Sequence, residues 1–354
     1  MNRIAFWFER QWTTRTAWQI VLRPLSWLFR VVSATRRWAY RRGWIQSHRL
    51  PVTVIIVGNI TVGGSGKTPL VIWLVEKLRA AGYVPGVIGR GYGGSESGPF
   101  EVGPFSDAAE VGDEPLLIAA RTDVPLFIGR NRVAAGQALL EAFPNCDVII
   151  CDDGLQHYRL QRDIEIAVVD AAAGFGNGCF LPAGPLREPV GRLATVNSVV
   201  INGGRGAVDA ANLGSLTRTR DQLVSTGWPW AMRLSGHVFC NVLDPESHAL
   251  VADLRHFIVH VVAGIGRPKR FFDHLRQLGF DVIEHPFPDH HAYRREDLAF
   301  GDDGIILMTE KDAVKCKAFA EKNWWMLPVT AELDDHFLAS ILKKLRPTYG
   351  PQTA

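Results

Sequence analysis

The chain has no paired-cysteine pattern, no apolar run long enough to span a bilayer, no internal repeat and no low-complexity tract, and its first fifty residues hold almost no acid. Its five cysteines (Cys146, Cys151, Cys179, Cys240 and Cys316) are scattered through 354 residues with no C-x-x-C pair. An odd, unpaired set argues for reduced thiols in a cytosolic compartment and against metal binding by cysteine. The apolar stretch from Trp18 to Val32 is interrupted by Arg23, Pro24 and Arg30, so it falls short of the roughly 20 apolar residues of a spanning helix. Arginines running through that stretch, with no small-residue cleavage site after it, also disfavour a cleaved signal peptide. With 47% hydrophobic and 21% charged residues the composition is globular, and the length predicts one large and one small domain.

The shortage of acid is local. The net charge is +3, yet residues 1–50 carry ten arginines (positions 3, 10, 15, 23, 30, 36, 37, 41, 42 and 49) against the single acid Glu9. The same stretch contains Phe6, Phe8, Trp12, Trp18, Trp27, Leu28, Phe29, Trp38 and Trp44. Arg23, Arg30 and Arg37 recur every seven residues and share one side of a helix, while Ile20, Val21, Leu25, Leu28, Val31 and Val32 fall largely elsewhere. A basic, Trp-rich amphipathic helix over residues 1–45 is expected to lie in a membrane interface, attracted by anionic lipids. The plainer alternative is a helix packed on the protein's own surface.

Residues 52–78, VTVIIVGNITVGGSGKTPLVIWLVEKL, organise the rest. Val52–Ile60 is a nearly continuous run of β-branched residues, the composition of a parallel strand covered on both faces. Gly63, Gly64 and Gly66 let the backbone turn with its N–H groups facing an anion, and Lys67 and Thr68 open a helix whose positive end favours negative charge. Thr61, Val62, Gly63, Gly64, Ser65, Gly66, Lys67 and Thr68 thus form a candidate ATP phosphate cradle, in which the lysine reaches the β- and γ-phosphates and the threonine hydroxyl ligates Mg²⁺. The general pattern G-x-x-x-x-G-K-[ST] asks for glycine at position 61, where Thr61 stands.

A second strand, Val84–Ile88, runs into GRGYGG, where Arg90 is placed to take a phosphate and Tyr92 to stack, as at the ligand-binding ends of α/β sheets. Asp113 and Glu114 open a helix, where acids commonly do no more than cap. DVIICDDGLQH, residues 147–157, is a strand ending in paired carboxylates. Asp152 is the first candidate Mg²⁺ ligand and Asp153 the second, with Gln156 and His157 in the following turn. FLPAGPLREPVGRL reads as an anchored loop presenting Arg187 and Glu188. The expected organisation is a P-loop NTPase-type, mostly parallel sheet with helices on both faces over 46–220, a β linker over 221–250, and a smaller α/β domain over 251–354. His290 and His291 follow a strand of that smaller domain.

GNITVGGSGKTP, GRGYGG, GDEP, DDGLQH, PAGPLREP, FPDHH and TEKDAVK occur in this order, and the chain resembles the tetraacyldisaccharide 4'-kinase family of lipid A biosynthesis over nearly its whole length. Thr61 belongs to that family's own version of the loop. The resemblance implies transfer of the ATP γ-phosphoryl group to the 4'-hydroxyl of a membrane-embedded, acylated glucosamine disaccharide at the cytoplasmic face of the bacterial inner membrane. It further implies a paired acid and histidine as base, here Asp113 of GDEP and His290 of FPDHH, with Lys67 at the phosphates. A monomer with no nucleic-acid partner is expected. The competing reading is a GTPase-like switch, because TEKD (309–312) faintly resembles the guanine-reading N-K-x-D, but Glu310 stands where the lysine belongs. A membrane scaffold with a degenerate nucleotide site is opposed by Lys67, Thr68 and Asp152 all being present.

Overall fold

The computed structural model describes Trp12 and residues 17–91, 98–203 and 229–345. Tyr92 and most of residues 1–16 therefore lie outside the described residues. The elements in chain order are α1 (Ala17–Arg41), β1 (Thr53–Gly58), α2 (Lys67–Ala80), β2 (Pro85–Gly89), β3 (Phe100–Glu101), α3 (Ala108–Val111), α4 (Asp113–Thr122), β4 (Leu126–Ile128), α5 (Arg132–Ala142), β5 (Val148–Asp152), β6 (Ile164–Asp170), β7 (Ser198–Asn202) and β8 (Trp230–Ser235). They continue as β9 (Val238–Asn241), β10 (His248–Leu250), α6 (Val251–Leu254), β11 (Val259–Ala263), α7 (Pro268–Gln277), β12 (Val282–Pro286), β13 (Ile305–Thr309), α8 (Glu310–Cys316), β14 (Trp324–Leu327), β15 (Thr330–Leu333) and α9 (Asp335–Leu342).

Two sheets result. The large one runs β15-β8-β7-β6-β1-β5-β2-β4-β3, parallel from β8 to β4 with an antiparallel strand at each edge. Every residue of β1 and β5 is buried, as their β-branched runs require of central parallel strands. Apolar clusters fill both faces: α2 and α4 pack on one, while α5 and the loop carrying Leu186 and Leu193 pack on the other. The small sheet, β10-β9-β14-β13-β11-β12, is parallel from β14 to β12 and likewise covered on both faces.

The sheets do not follow the boundaries expected from sequence. Strand β8, inside the expected linker, joins the large sheet, whereas β9 and β10 belong to the small one. The chain also returns: β15 pairs antiparallel with β8, and Phe337 and Ile341 of α9 enter the large core, with Phe337 5.7 Å from the Trp73 ring. The small domain is thus an insertion running from β9 to β14. The reason is that β8 needs an edge partner and the α2 face needs cover, needs that only a later segment satisfies.

Candidate active site

The phosphate loop follows β1 and lies at the carboxyl ends of the large sheet's strands, where an α/β sheet offers its crevice. Gly63 and Gly66 take positive φ of 104° and 91°. At Gly66 a side chain is excluded by space as well, because its Cβ would meet Asn202 Nδ2 at 2.5 Å. Asn202, ending β7, donates to the Ser65 carbonyl at 3.1 Å, while the buried Asn59 donates to the Gly63 carbonyl at 3.3 Å and to Ser65 Oγ at 3.2 Å. Thr61 bridges to Leu186 and the Val62 N–H donates to the Pro185 carbonyl at 2.9 Å. The loop is therefore shaped before any ligand binds. Lys67 and Thr68 begin α2, which has no side-chain cap on its first N–H groups, leaving them for an anion.

The two adjacent aspartates separate into different roles. Asp152 ends β5, is buried, and leaves Oδ1 with no hydrogen-bond partner among the described residues. Burial and the negative charges of Glu114 and Asp153 push its carboxyl up to about 7, against the pull of Lys67. A buried carboxylate with one oxygen unpartnered, beside Lys67 and the Thr68 helix start, suits a divalent cation. Asp153 does not continue the strand to the opposite face. It sits at φ 49° and turns to Arg187 at 3.0 Å and Lys67 at 3.6 Å, and although burial opposes its charge these two cations hold its carboxyl well below the usual range. No cluster of three His, Cys, Asp or Glu side chains suited to a metal occurs among the described residues.

The PAGPLREP loop is tied to this floor. The Arg187 N–H donates to the Ile60 carbonyl at 2.8 Å, Gln156 Nε2 donates to the Asn59 carbonyl at 3.0 Å and to Glu188 at 3.3 Å, and the Tyr158 hydroxyl donates to Glu188. Gln156 and Glu188 thus brace the loop from below. His157 is driven down to about 4, first by burial and then by Arg132, Arg162, Arg36 and Arg159 around it, so it is neutral at physiological pH. Arg90 is exposed just beyond β2.

The small domain completes the site from above. Asp113, 4% exposed at the start of α4, meets His290 from the turn after β12, whose Nδ1 lies 3.0 Å from each carboxylate oxygen. Burial penalises both charges, but the mutual hydrogen bond and, for Asp113, Lys311 and Lys315 leave the acid below its ordinary value and the histidine above its own. Around this pair the two domains are laced together by residues that the sequence did not single out. Lys311 lies 3.7 Å from Asp113, 3.3 Å from Glu114 and 3.3 Å from Asp289. Arg267 and Arg270, at the head of α7, hold the buried Asp170 at 3.0 and 2.9 Å. Between β11 and α7 the backbone comes so close to the phosphate loop that a Cβ on Gly266 would stand 3.6 Å from the Gly64 nitrogen. The position of each of these residues just past a strand was the available signal. Nothing in the sequence says which loop faces which.

TEKD resolves into scaffolding. Thr309 caps α8, and Asp312, with no exposure, accepts from the Gly264 N–H at 3.0 Å, the Tyr293 hydroxyl at 3.1 Å and Thr309 Oγ1 at 2.7 Å. Glu310 pairs with Arg121 at 2.6 Å. An aspartate so engaged cannot read a guanine.

The N-terminal helix inverts the usual pattern. Its buried residues include Gln19 and Ser26, and the Ser26 hydroxyl donates to the Phe180 carbonyl at 2.8 Å and accepts from the Ala183 N–H at 3.0 Å. Ile20, Val21, Leu25, Trp27, Leu28 and Val32 are all more than half exposed. No helix among the described residues is long and apolar enough to cross a membrane.

Comparison with known proteins agrees with this geometry. Residues 18–346 match the model of the tetraacyldisaccharide-1-P 4'-kinase family. The tetraacyldisaccharide 4'-kinase of Methylobacillus flagellatus is 50% identical over 96% of both chains, and that of an Azoarcus species is 52% identical over 95% of this chain and 94% of its own. The structure also superposes, with a TM-score of 0.74 at 26% identity, on LpxK from Aquifex aeolicus solved in complex with ATP, covering 93% of this chain and 99% of the other. A chain so alike over nearly its whole length belongs to the tetraacyldisaccharide 4'-kinase family.

Proposed function

We propose that the protein transfers the γ-phosphoryl group of ATP to the 4'-hydroxyl of a tetraacylated glucosamine disaccharide 1-phosphate in lipid A biosynthesis. The observation that carries this reading is the Asp113–His290 pair, joined at 3.0 Å across two domains above the phosphate loop. The loop N–H groups, Lys67 and Thr68 grip the β- and γ-phosphates, and Asp152 with Thr68 would hold Mg²⁺, which when bound neutralises charge on the transferring group. Asp153 keeps Lys67 and Arg187 oriented. As the hydroxyl attacks, its proton passes to the Asp113–His290 pair, which is ready when the acid is ionised and the imidazole neutral. Because the pair is split between domains, it exists only while the cleft is closed, which excludes water and suppresses ATP hydrolysis.

The acceptor is a lipid, and α1 brings the enzyme to it. Its exposed Ile, Val, Leu and Trp side chains enter the interface of an anionic bilayer and its arginines meet the head groups, placing a monomeric enzyme on the cytoplasmic face of the inner membrane. The test is transfer from γ-labelled ATP or GTP to the tetraacyl disaccharide 1-phosphate in mixed micelles. Label on the acceptor from ATP is expected. GTP hydrolysis without acceptor labelling would overturn the reading.

A further inference from the structure

The Lys311 ammonium stands at the meeting point of the two domains. It reaches Glu114 Oε1 at 3.3 Å, Asp289 Oδ1 at 3.3 Å and Asp113 Oδ2 at 3.7 Å, with only 17% of its side chain exposed. Two of these acids are Asp113 itself and its neighbour on α4. The third, Asp289, precedes His290, accepts from the His290 N–H at 3.1 Å and lies 3.8 Å from His290 Nε2. Three carboxylates from two domains gathered within 3.7 Å of one point repel one another and drive the cleft open unless a cation sits among them. The other nearby cation, Lys315, is 4.0 Å from Asp113 and committed to Asp312 at 2.8 Å.

We infer that Lys311 is a positioning residue for phosphoryl transfer: it bridges the large-domain acids Asp113 and Glu114 to the small-domain acid Asp289 and so holds His290 in register with Asp113. This rests on the reading of Asp113 and His290 as the base. Lys311 is carried by β13 and the rigid start of α8, where Thr309 and Asp312 are locked by hydrogen bonds, so its backbone is fixed and only its side chain spans the cleft. Its charge has a second effect. Facing Asp113 and His290, together with Lys315, Glu114 and Asp289, it favours the ionised acid and the neutral imidazole, the form competent to take a proton.

The experiment compares wild type, Lys311→Met, Lys311→Arg and Asp113→Asn in kcat, KM for ATP and the pH dependence of kcat on the micellar acceptor, with melting temperature and ATP affinity as checks on folding. Loss of alignment predicts a fall in kcat of roughly 10- to 100-fold for Lys311→Met. The KM for ATP should stay near wild type and the acidic limb of the profile should move to higher pH, because removing the cation makes the pair hold its proton more tightly. Lys311→Arg keeps the charge and should restore the limb to its wild-type position. A Lys311→Met enzyme that binds ATP normally and keeps both wild-type kcat and an unmoved limb overturns the inference, as does one that loses rate with the limb unmoved, which is mere scaffolding. Should Lys311→Met fail to fold, a limb in the folded Lys311→Arg enzyme displaced as far as complete loss of the cation requires counts against it equally. The control keeps the two claims apart: wild-type turnover by Asp113→Asn removes the base reading itself, whereas an inactive Asp113→Asn beside an unaffected Lys311→Met removes only the role given to Lys311.

Discussion

In the large sheet the residues proposed to grip phosphate come from one short stretch, 59–68, braced by Asn202 at the end of β7 and by Asp153 just past β5. In the small sheet the residues that face the site, Arg267, His290 and Lys311, come from the segments that follow β11, β12 and β13, and each meets an acid on the other domain. The first arrangement is local and shaped in advance. The second is assembled, its parts drawn from segments far apart in the chain and meeting acids of the large domain. What the difference teaches is a division of labour: nucleotide grip depends on sequence-adjacent geometry, whereas proton transfer depends on how two rigid bodies meet. Substitutions in the first region should therefore remove binding and chemistry together, and those in the second chemistry alone.

The most damaging test of that division is Lys67→Ala or Asp152→Ala. One removes the cation that meets the phosphates and the other the buried acid expected to hold the metal, and complete loss of transfer is expected with the fold intact. Equilibrium binding of Mg·ATP followed by fluorescence, beside circular dichroism, makes the check. Near-normal turnover in either variant at saturating Mg·ATP removes the phosphate-loop reading.

Asp113→Ala and His290→Ala sharpen the contrast from the other side. A positioned base contributes about 10² to 10⁴ in rate, so Asp113→Ala should lower kcat by that order with little change in the KM for ATP, and His290→Ala less severely. Members of one unit lose activity non-additively, and the double variant should be little worse than Asp113→Ala alone. Fully multiplicative losses would make them independent. The pH dependence carries a sign as well. Burial notwithstanding, the Asp113 hydrogen bond holds His290 above its ordinary value of 6.5, so wild-type kcat should fall as pH drops through a value above 6.5, where the pair takes up its first proton, on the imidazole. Asp113→Asn withdraws that support, and its residual activity should show the limb displaced to lower pH.

How much of this was legible in the sequence follows the same division. Strand β1, the glycine turn and Lys67 lie within fifteen residues, so composition and spacing place them, and the Asp152–Asp153 pair at a strand end reads the same way. The pairing of Asp113 with His290 came from motif resemblance, and no periodicity links residues so far apart. An extended strand would point Asp153 away from Asp152, but the chain leaves the strand there at φ 49°, a turn that the composition of the run does not announce. The pairings of Lys311, Arg267 and Arg270 with acids of the other domain stayed invisible because an ion pair between domains has no signature in either partner's neighbourhood. The domain boundary was misplaced for a related reason, since a strand's composition does not say which sheet will take it. Here β8 and β15 close the large sheet from either side of the inserted domain.

The smallest effect on chemistry is expected from α1, which belongs to neither half. Ordinary amphipathic helices bury the residues that α1 exposes, and the side it turns to the protein is held by a serine and a glutamine. Replacing Ile20, Val21, Trp27 and Leu28 together by serine should leave the fold untouched, because these side chains are 66%, 68%, 68% and 54% exposed, and ATP binding at the phosphate loop should persist. Each such side chain fully inserted into a bilayer is worth about 1.5 to 3 kcal/mol, while each arginine near an anionic surface adds on the order of 1 kcal/mol that salt screens within a Debye length. Flotation with vesicles containing anionic lipid separates the two contributions. High salt should weaken attachment of the wild type without abolishing it and should release the serine variant altogether, and detergent should release both. Activity on vesicle-embedded acceptor should fall with attachment, whereas activity in mixed micelles, which deliver the acceptor without a bilayer, should fall far less. A serine variant that still floats in high salt would move the membrane contact away from α1, to the rim of the cleft where the acyl chains must enter.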